Sequence, residues 1–159
     1  MKILMVCLGN ICRSPLAEGL LRTKAKKQHI HLIVDSAGTS AFHAGGPPDK
    51  RSVEIARTHD IDIQHLQCRQ FSAKDFDAFD FIYVMDAANY EDVLSLAGKP
   101  SDKQKVKLIL EMSNPGTRQN VPDPYYGGKD GFEHMYSLLD GACDGIVEDL
   151  IKRGLGEGL

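Results

Sequence analysis

A thiol and a guanidinium stand at a fixed spacing near the start of the chain, in the run Cys7-Leu8-Gly9-Asn10-Ile11-Cys12-Arg13-Ser14-Pro15. The pattern Cys-x5-Arg-Ser brings three kinds of chemistry to one point. Cys7 can act as a nucleophile in its thiolate form. Arg13 offers a planar fork of donors that matches two oxygens of a phosphate. Gly9 and Asn10 tolerate left-handed backbone angles, which a loop needs if the N–H groups of Leu8, Gly9, Asn10, Ile11, Cys12, Arg13 and Ser14 are to curl around one anion. Ser14 and Pro15 form a helix start, so the loop ends where unpaired N–H groups and the positive end of a helix dipole converge. That field favours the Cys7 thiolate, and Ser14 is placed to donate a hydrogen bond to the sulfur and help it leave in a later step.

Positioning such a loop takes a strand in front of it and a helix behind it. Apolar runs rich in β-branched residues occur at Ile3 to Cys7, Leu32 to Val34, Phe81 to Val84 and Val106 to Leu110, separated by stretches with helical periodicity. Short apolar strands alternating with helices predict an α/β fold, a three-layer doubly wound sandwich around a parallel sheet. The first helix runs from Ser14 and Pro15, through Leu16, Ala17, Leu20 and Leu21, to a basic end at Lys24 to Lys27. A second follows Pro48 with Val53 and Ala56 inward. A third covers Ala88 to Leu96, closed by Gly98 and Pro100. The longest apolar stripe is Phe132, Met135, Leu139, Ala142, Ile146 and Leu150, opened by Asp130 and closed by Gly154. Long loops rich in Gly, Pro, Asn and aromatics fall at 38–48 and 113–131. In a doubly wound sheet such loops build the ligand crevice beyond the carboxyl ends of the strands.

The whole chain narrows the function classes further. Its 159 residues suit a single domain, expected to span 1–159. A net charge of -3 with mixed signs gives no global attraction to nucleic acid or anionic lipid. The apolar stretch after Met1-Lys2 is too short for a signal-peptide core or a spanning helix, so no membrane insertion is expected. The four cysteines do not form a disulfide framework, which points to reduced thiols and a cytoplasmic location. His65 and Cys68 lack a second pair that would close a metal site, and neither a metal nor another cofactor is expected. Nucleotide and dinucleotide loops of the G-x-x-x-x-G-K-[ST] and G-x-G-x-x-G kinds are absent, as is a G-x-S-x-G elbow.

The run Val6 to Pro15 resembles the signature of low-molecular-weight protein tyrosine phosphatases. The likeness continues through Asp35-Ser36-Ala37-Gly38-Thr39, Val84-Met85-Asp86 and Val121-Pro122-Asp123-Pro124-Tyr125-Tyr126-Gly127, in the same order along nearly the whole chain. The resemblance implies a four-stranded parallel sheet of order 2-1-3-4 and metal-independent hydrolysis of protein phosphotyrosine through a cysteinyl-phosphate intermediate. The implied partner is a phosphotyrosine-containing protein, a tyrosine kinase among the candidates, with inorganic phosphate as product.

Expelling a phenolate, whose conjugate acid has a pKa of about 10, calls for a positioned proton donor. The resemblance gives that part to Asp123, which can then act as base on the attacking water. Pro124 restricts its backbone, and Tyr125 and Tyr126 can wall the pocket. The resemblance also implies that Asn10, Ser14, Ser36 and His65 brace the loop. Asp86 is read two ways, as a helix cap or as a substrate contact. A slot between Tyr125 and the 38–47 loop, with Phe42 opposite, suits a flat phosphotyrosine. Ile11 agrees, since the phosphoarginine branch of the superfamily typically carries Thr there, whereas Phe42 stands where the family often has Trp. Cys12 is read either as packing beneath the loop or as the partner of an oxidised Cys7 in a reversible disulfide. Two rival functions are weighed. A thiol-dependent arsenate reductase needs two further relay cysteines, whereas Cys68 and Cys143 are isolated in sequence. A non-catalytic phosphotyrosine-binding module would not need Cys7, Arg13 and Asp123 together.

Overall fold

The computed structural model describes residues 1–156, so the last three residues of the expected 1–159 domain lie outside the described residues. The strands are β1 (Lys2–Cys7), β2 (Ile33–Gly38), β3 (Phe81–Val84) and β4 (Val106–Leu108). The helices are α1 (Arg13–Lys27), α2 (Lys50–Thr58), α3 (Asp75–Ala78), α4 (Ala87–Leu94), α5 (Pro100–Gln104) and α6 (Lys129–Lys152), with a 3-10 turn at Ile109–Met112. The four strands form one sheet in the order β2-β1-β3-β4. All pairings are parallel, in registers that set Cys7 beside Gly38 and Val84 beside both Val6 and Leu108. The α/β class, the four-stranded parallel sheet and its order are therefore as expected.

The period-two alternation of the strands divides the interior into two layers. Ile3, Met5, Cys7 and Tyr83 face a core shared with α1, α2 and α6, whereas Leu4, Val6, Ile82 and Val84, with Val106 and Leu108 of β4 on the same sheet face, lie in a second cluster with Phe76 of α3 and Val93 of α4. Because every strand points the same way, the carboxyl ends of β1, β2 and β3 open on one edge. There the connections into α1 and α4 and the loop after β2 converge.

Several boundaries move for identifiable reasons. β2 begins one residue later than Leu32 and continues to Gly38, because Ser36 is buried against α1 and Ala37 and Gly38 are buried beside β1. The apolar run from Val106 to Leu110 is a strand only to Leu108, after which Ile109 and Leu110 enter the 3-10 turn while staying buried. α4 covers Ala87–Leu94, and Pro100 opens α5 instead of closing the preceding helix. α6 starts at Lys129 after a Gly128 cap that supplies no side chain, so Asp130 contributes first-turn charge and does not cap. Its end is as expected. Gly154 takes φ of 86°, with Gly154 N–H donating to the Ile151 carbonyl and Leu155 N–H to the Leu150 carbonyl.

Candidate active site

Cys7 is the last residue of β1 and Arg13 the first of α1, so the intervening residues form the whole connection. α1 starts with no side-chain cap and no acidic residue in its first turn, which leaves its N–H groups and positive potential unopposed. Asn10 takes the left-handed conformation with φ of 57°, and its N–H points at Cys7 Sγ at 3.2 Å. Gly9 does not take such angles. Its small size serves a different end, because a Cβ there would come within 3.2 Å of the His43 ring. Ser14 Oγ lies 3.0 Å from Cys7 Sγ.

The loop is braced from beneath. Asn10 is 2 % exposed, and its Nδ2 donates to Ser14 Oγ at 2.8 Å and to Ser36 Oγ at 2.9 Å, while its Oδ1 accepts from Arg69 N–H at 3.0 Å. Ser36 Oγ in turn donates to Glu18 Oε1 at 2.7 Å, and Arg22 ties Glu18 to the Val34 carbonyl. Burial pushes the Glu18 carboxyl above the ordinary range, against the lowering effect of Ser36 and Arg22. Glu18 escaped the sequence reading although a signal was present, since Ser14, Glu18 and Arg22 recur at i, i+4 on one face of α1. Gly38 is needed where β2 passes the loop, because a Cβ would sit 2.8 Å from the Leu8 carbonyl oxygen.

His65 does not join this brace. It is exposed, and no hydrogen bond ties it to the loop. Cys68 and Arg69 take up the contact instead, three and four residues further on. The turn after Ile63 leaves His65 outside and brings the next buried residue, Cys68, under Asn10.

Arg13 is 2 % exposed and fully engaged on one side. Its Nη1 donates to Asp86 Oδ2 at 2.6 Å and to the Val121 carbonyl at 3.0 Å, and its Nη2 lies 3.5 Å from Asp123 Oδ2. Asp86 also caps α4, with Oδ1 accepting from Asn89 N–H at 2.8 Å. The two readings of Asp86 thus resolve into a cap that orients the arginine. The segment bearing Asp123 is anchored by Val121 N–H donating to the Met85 carbonyl and by Asn120 accepting from Ala87 N–H. Tyr125 N–H donates to Asp123 Oδ1 at 3.0 Å, which fixes the carboxylate over its own turn.

These groups share one cavity of about 440 Å³, lined by Cys7, Leu8, Gly9, Ile11, Cys12, Arg13, Ser40, Phe42, His43, Asp123, Tyr125 and Tyr126. Tyr125 and Tyr126 meet edge to face at 5.0 Å. Phe42 and Tyr126 are 86 % and 98 % exposed, so they rim the mouth, while Ile11 is nearly buried. Arg51 lies 5.4 Å from the Tyr125 ring centroid and 4.7 Å from that of Phe132, which supports Tyr125 from behind. His43 and Ser40 were not anticipated and carry no motif that would have marked them. All four cysteines are free thiols, and burial raises the pKa of Cys12 and Cys143 strongly and pushes Cys68 up to about 11.

A thiol at the carboxyl end of a central strand, inside a helix-initiating loop closed by arginine and faced by a carboxylate, has the layout of a phosphate loop with a thiol at its centre. Comparison with known proteins gives the family. The model of the low molecular weight phosphotyrosine protein phosphatases matches residues 2–155, and the chain belongs to that family. The low molecular weight phosphotyrosine protein phosphatase of Schizosaccharomyces pombe is 41 % identical over 141 residues, covering 87 % of this chain and 89 % of the relative. The crystal structure of a protein tyrosine phosphatase from Entamoeba histolytica superposes with a TM-score of 0.90 at 35 % identity, over 98 % of this chain and 99 % of the other. A drosophila arginine phosphatase superposes with a TM-score of 0.85 at 31 % identity, over 94 % and 98 % of the two chains. Among the described residues no helix is long and apolar enough to cross a membrane.

Proposed function

We propose that the protein hydrolyses protein phosphotyrosine in two steps without a metal ion. In the first, the Cys7 thiolate attacks phosphorus while Arg13 and the loop N–H groups hold the remaining oxygens, and Asp123 gives its proton to the departing phenolate. In the second, the Asp123 carboxylate takes a proton from water that attacks the cysteinyl phosphate, releasing inorganic phosphate. Ser14 then stabilises the departing thiolate. The observation that carries this reading is the grouping of nucleophile, clamp and acid around one cavity. Cys7 Sγ lies 3.0 Å from Ser14 Oγ, and Arg13 Nη2 lies 3.5 Å from Asp123. Asp86, Asn10, Ser36 and Glu18 position these groups.

The flat faces of Tyr125 and the rim formed by Phe42 and Tyr126 favour an aryl phosphate on a protein, such as a tyrosine kinase. Phosphoarginine is the rival substrate raised by the drosophila neighbour, and nearly buried Ile11 in the cavity wall supports phosphotyrosine against it. The arsenate-reductase reading loses ground, because Cys68 is buried beneath the loop and Cys143 is enclosed within the α6 core. A catalytic thiol suits a reducing cytoplasm.

The test is phosphate release from phosphotyrosine, phosphoserine and phosphoarginine peptides in the presence of EDTA. Phosphotyrosine turnover is expected for the wild type, a fall of about 10²- to 10³-fold in kcat for Asp123→Ala, and binding without turnover for Cys7→Ser. Preferential release from phosphoarginine would overturn the substrate assignment, and turnover by Cys7→Ser would overturn the nucleophile.

A further inference from the structure

An anion loop must turn its N–H groups inward and its carbonyl oxygens outward, since an inward carbonyl repels the phosphate. Five of the loop's carbonyls, those of Cys7, Leu8, Asn10, Ile11 and Cys12, have identifiable partners. The Cys7 carbonyl accepts from Thr39 N–H at 2.9 Å, that of Leu8 from Ser40 N–H at 2.9 Å, and that of Ile11 from Asp49 N–H at 2.8 Å. The Cys12 carbonyl accepts from Ser52 Oγ at 2.8 Å. The Asn10 carbonyl differs, because its donor is a thiol, Cys68 Sγ at 2.8 Å. Asn10 is also the residue with left-handed φ, and its N–H meets Cys7 Sγ. Rotation of the peptide plane that carries its carbonyl would also swing the Ile11 N–H, which belongs to the anion ring.

We propose that Cys68 is a positioning residue of the phosphate loop, its S–H holding the Asn10 carbonyl outward so that the neighbouring N–H groups stay aimed at the nucleophile and the bound anion. Cys68 is 4 % exposed, and burial, followed by the proximity of Cys7, pushes its pKa up to about 11, so the thiol keeps its proton at neutral pH. The alternative acceptor for that proton, the Pro47 carbonyl, lies at 3.6 Å and is the weaker partner. Asn10 thereby has its N–H, its carbonyl, its Oδ1 and its Nδ2 all engaged, which leaves the left-handed turn with a single orientation.

The inference rests on the loop being an anion site, as in the proposed function, but its test needs no turnover. Affinity for inorganic phosphate is measured by calorimetry for wild type, Cys68→Ser, Cys68→Ala and Cys68→Val. Loss of the donor in the Ala and Val variants is expected to weaken phosphate about three- to tenfold, and Ser, which keeps a donor, to stay within about twofold of wild type. The infrared S–H stretch that disappears in Cys68→Ser is expected at lower wavenumber than that of a free thiol. Wild-type affinity in both Ala and Val, or a removed band at the free-thiol position, would overturn the inference. Should Ala and Val fail to fold, the infrared band decides. A protein that binds phosphate in this donor-dependent way yet hydrolyses no phosphotyrosine would overturn the proposed function and leave the role of Cys68 standing.

Discussion

A single carboxylate, Asp86, couples the arginine to the scaffold, with one oxygen capping α4 and the other accepting from Arg13 at 2.6 Å. The guanidinium is therefore pre-oriented, and ordering it does not draw on substrate binding. A similar economy of position governs Cys12, which is buried, lines the cavity with Cys7, and keeps its proton because burial and then the Asp49 carboxylate raise its pKa. On the reading of Cys12 as a redox partner, peroxide would convert Cys7 to a sulfenic acid, and the Cys12 thiol would condense with it to give a disulfide and water. Peroxide is expected to inactivate the wild type reversibly, with activity restored by added thiol. Cys12→Ala is expected to lose most of that recovery as Cys7 passes to the sulfinic state. Equal recovery in the two proteins, followed by phosphate release after reduction, would leave Cys12 with packing alone.

Among the elements, α2 braces the loop from the side. Asp49 caps it by accepting from Arg51 N–H at 2.8 Å, pairs with the Arg51 guanidinium, and donates its own N–H to the Ile11 carbonyl. The Arg51 hydrogen bond holds the Asp49 carboxyl below its ordinary value. A carboxyl lowered in the folded state contributes stability that is present above its unfolded pKa of about 3.9 and is lost as pH falls through the folded value. Asp49→Ala is expected to cost about 1–2 kcal/mol at pH 7, measured by urea unfolding, with the gap from wild type shrinking below about pH 4. Asp49→Asn, which keeps a capping oxygen, is expected to recover part of the loss. A cost unchanged at acid pH would assign Asp49 to backbone geometry alone. The helix ends were legible unevenly. Gly154 at the end of α6 carries its meaning in its type, whereas His29 and Asp60 fill the matching left-handed positions after α1 and α2, where residue type gives a weaker signal.

At the scale of the molecule, α6 closes the layer over α1, α2 and the 3-10 turn, and two of its glycines differ sharply. A Cβ on Gly145 would fall 2.0 Å from the Met112 carbonyl oxygen, whereas one on Gly141 would meet nothing within 4 Å. Gly145→Ala is expected to destabilise by about 3 kcal/mol by forcing α6 off the turn. Gly141→Ala is expected to stabilise by about 0.5–1 kcal/mol through helix propensity. Denaturant midpoints compare the two, and similar shifts of the same sign would refute the close approach. The alternating α/β order and the strand and helix that flank Cys7 and Arg13 were legible in the chain alone, as was the Cys-x5-Arg-Ser pattern on which the proposed chemistry rests. Those depend on periodicity and on residues adjacent in the chain, which local physics dictates. The meeting of Arg13 with Asp86 and Val121, the placing of Cys68 under Asn10 while His65 stays outside, and the difference between Gly141 and Gly145 emerge from the folded chain alone. Each depends on which distant carbonyl or carboxylate arrives at a given point, and parallel crossover connections set that arrival without leaving a period or motif in the chain.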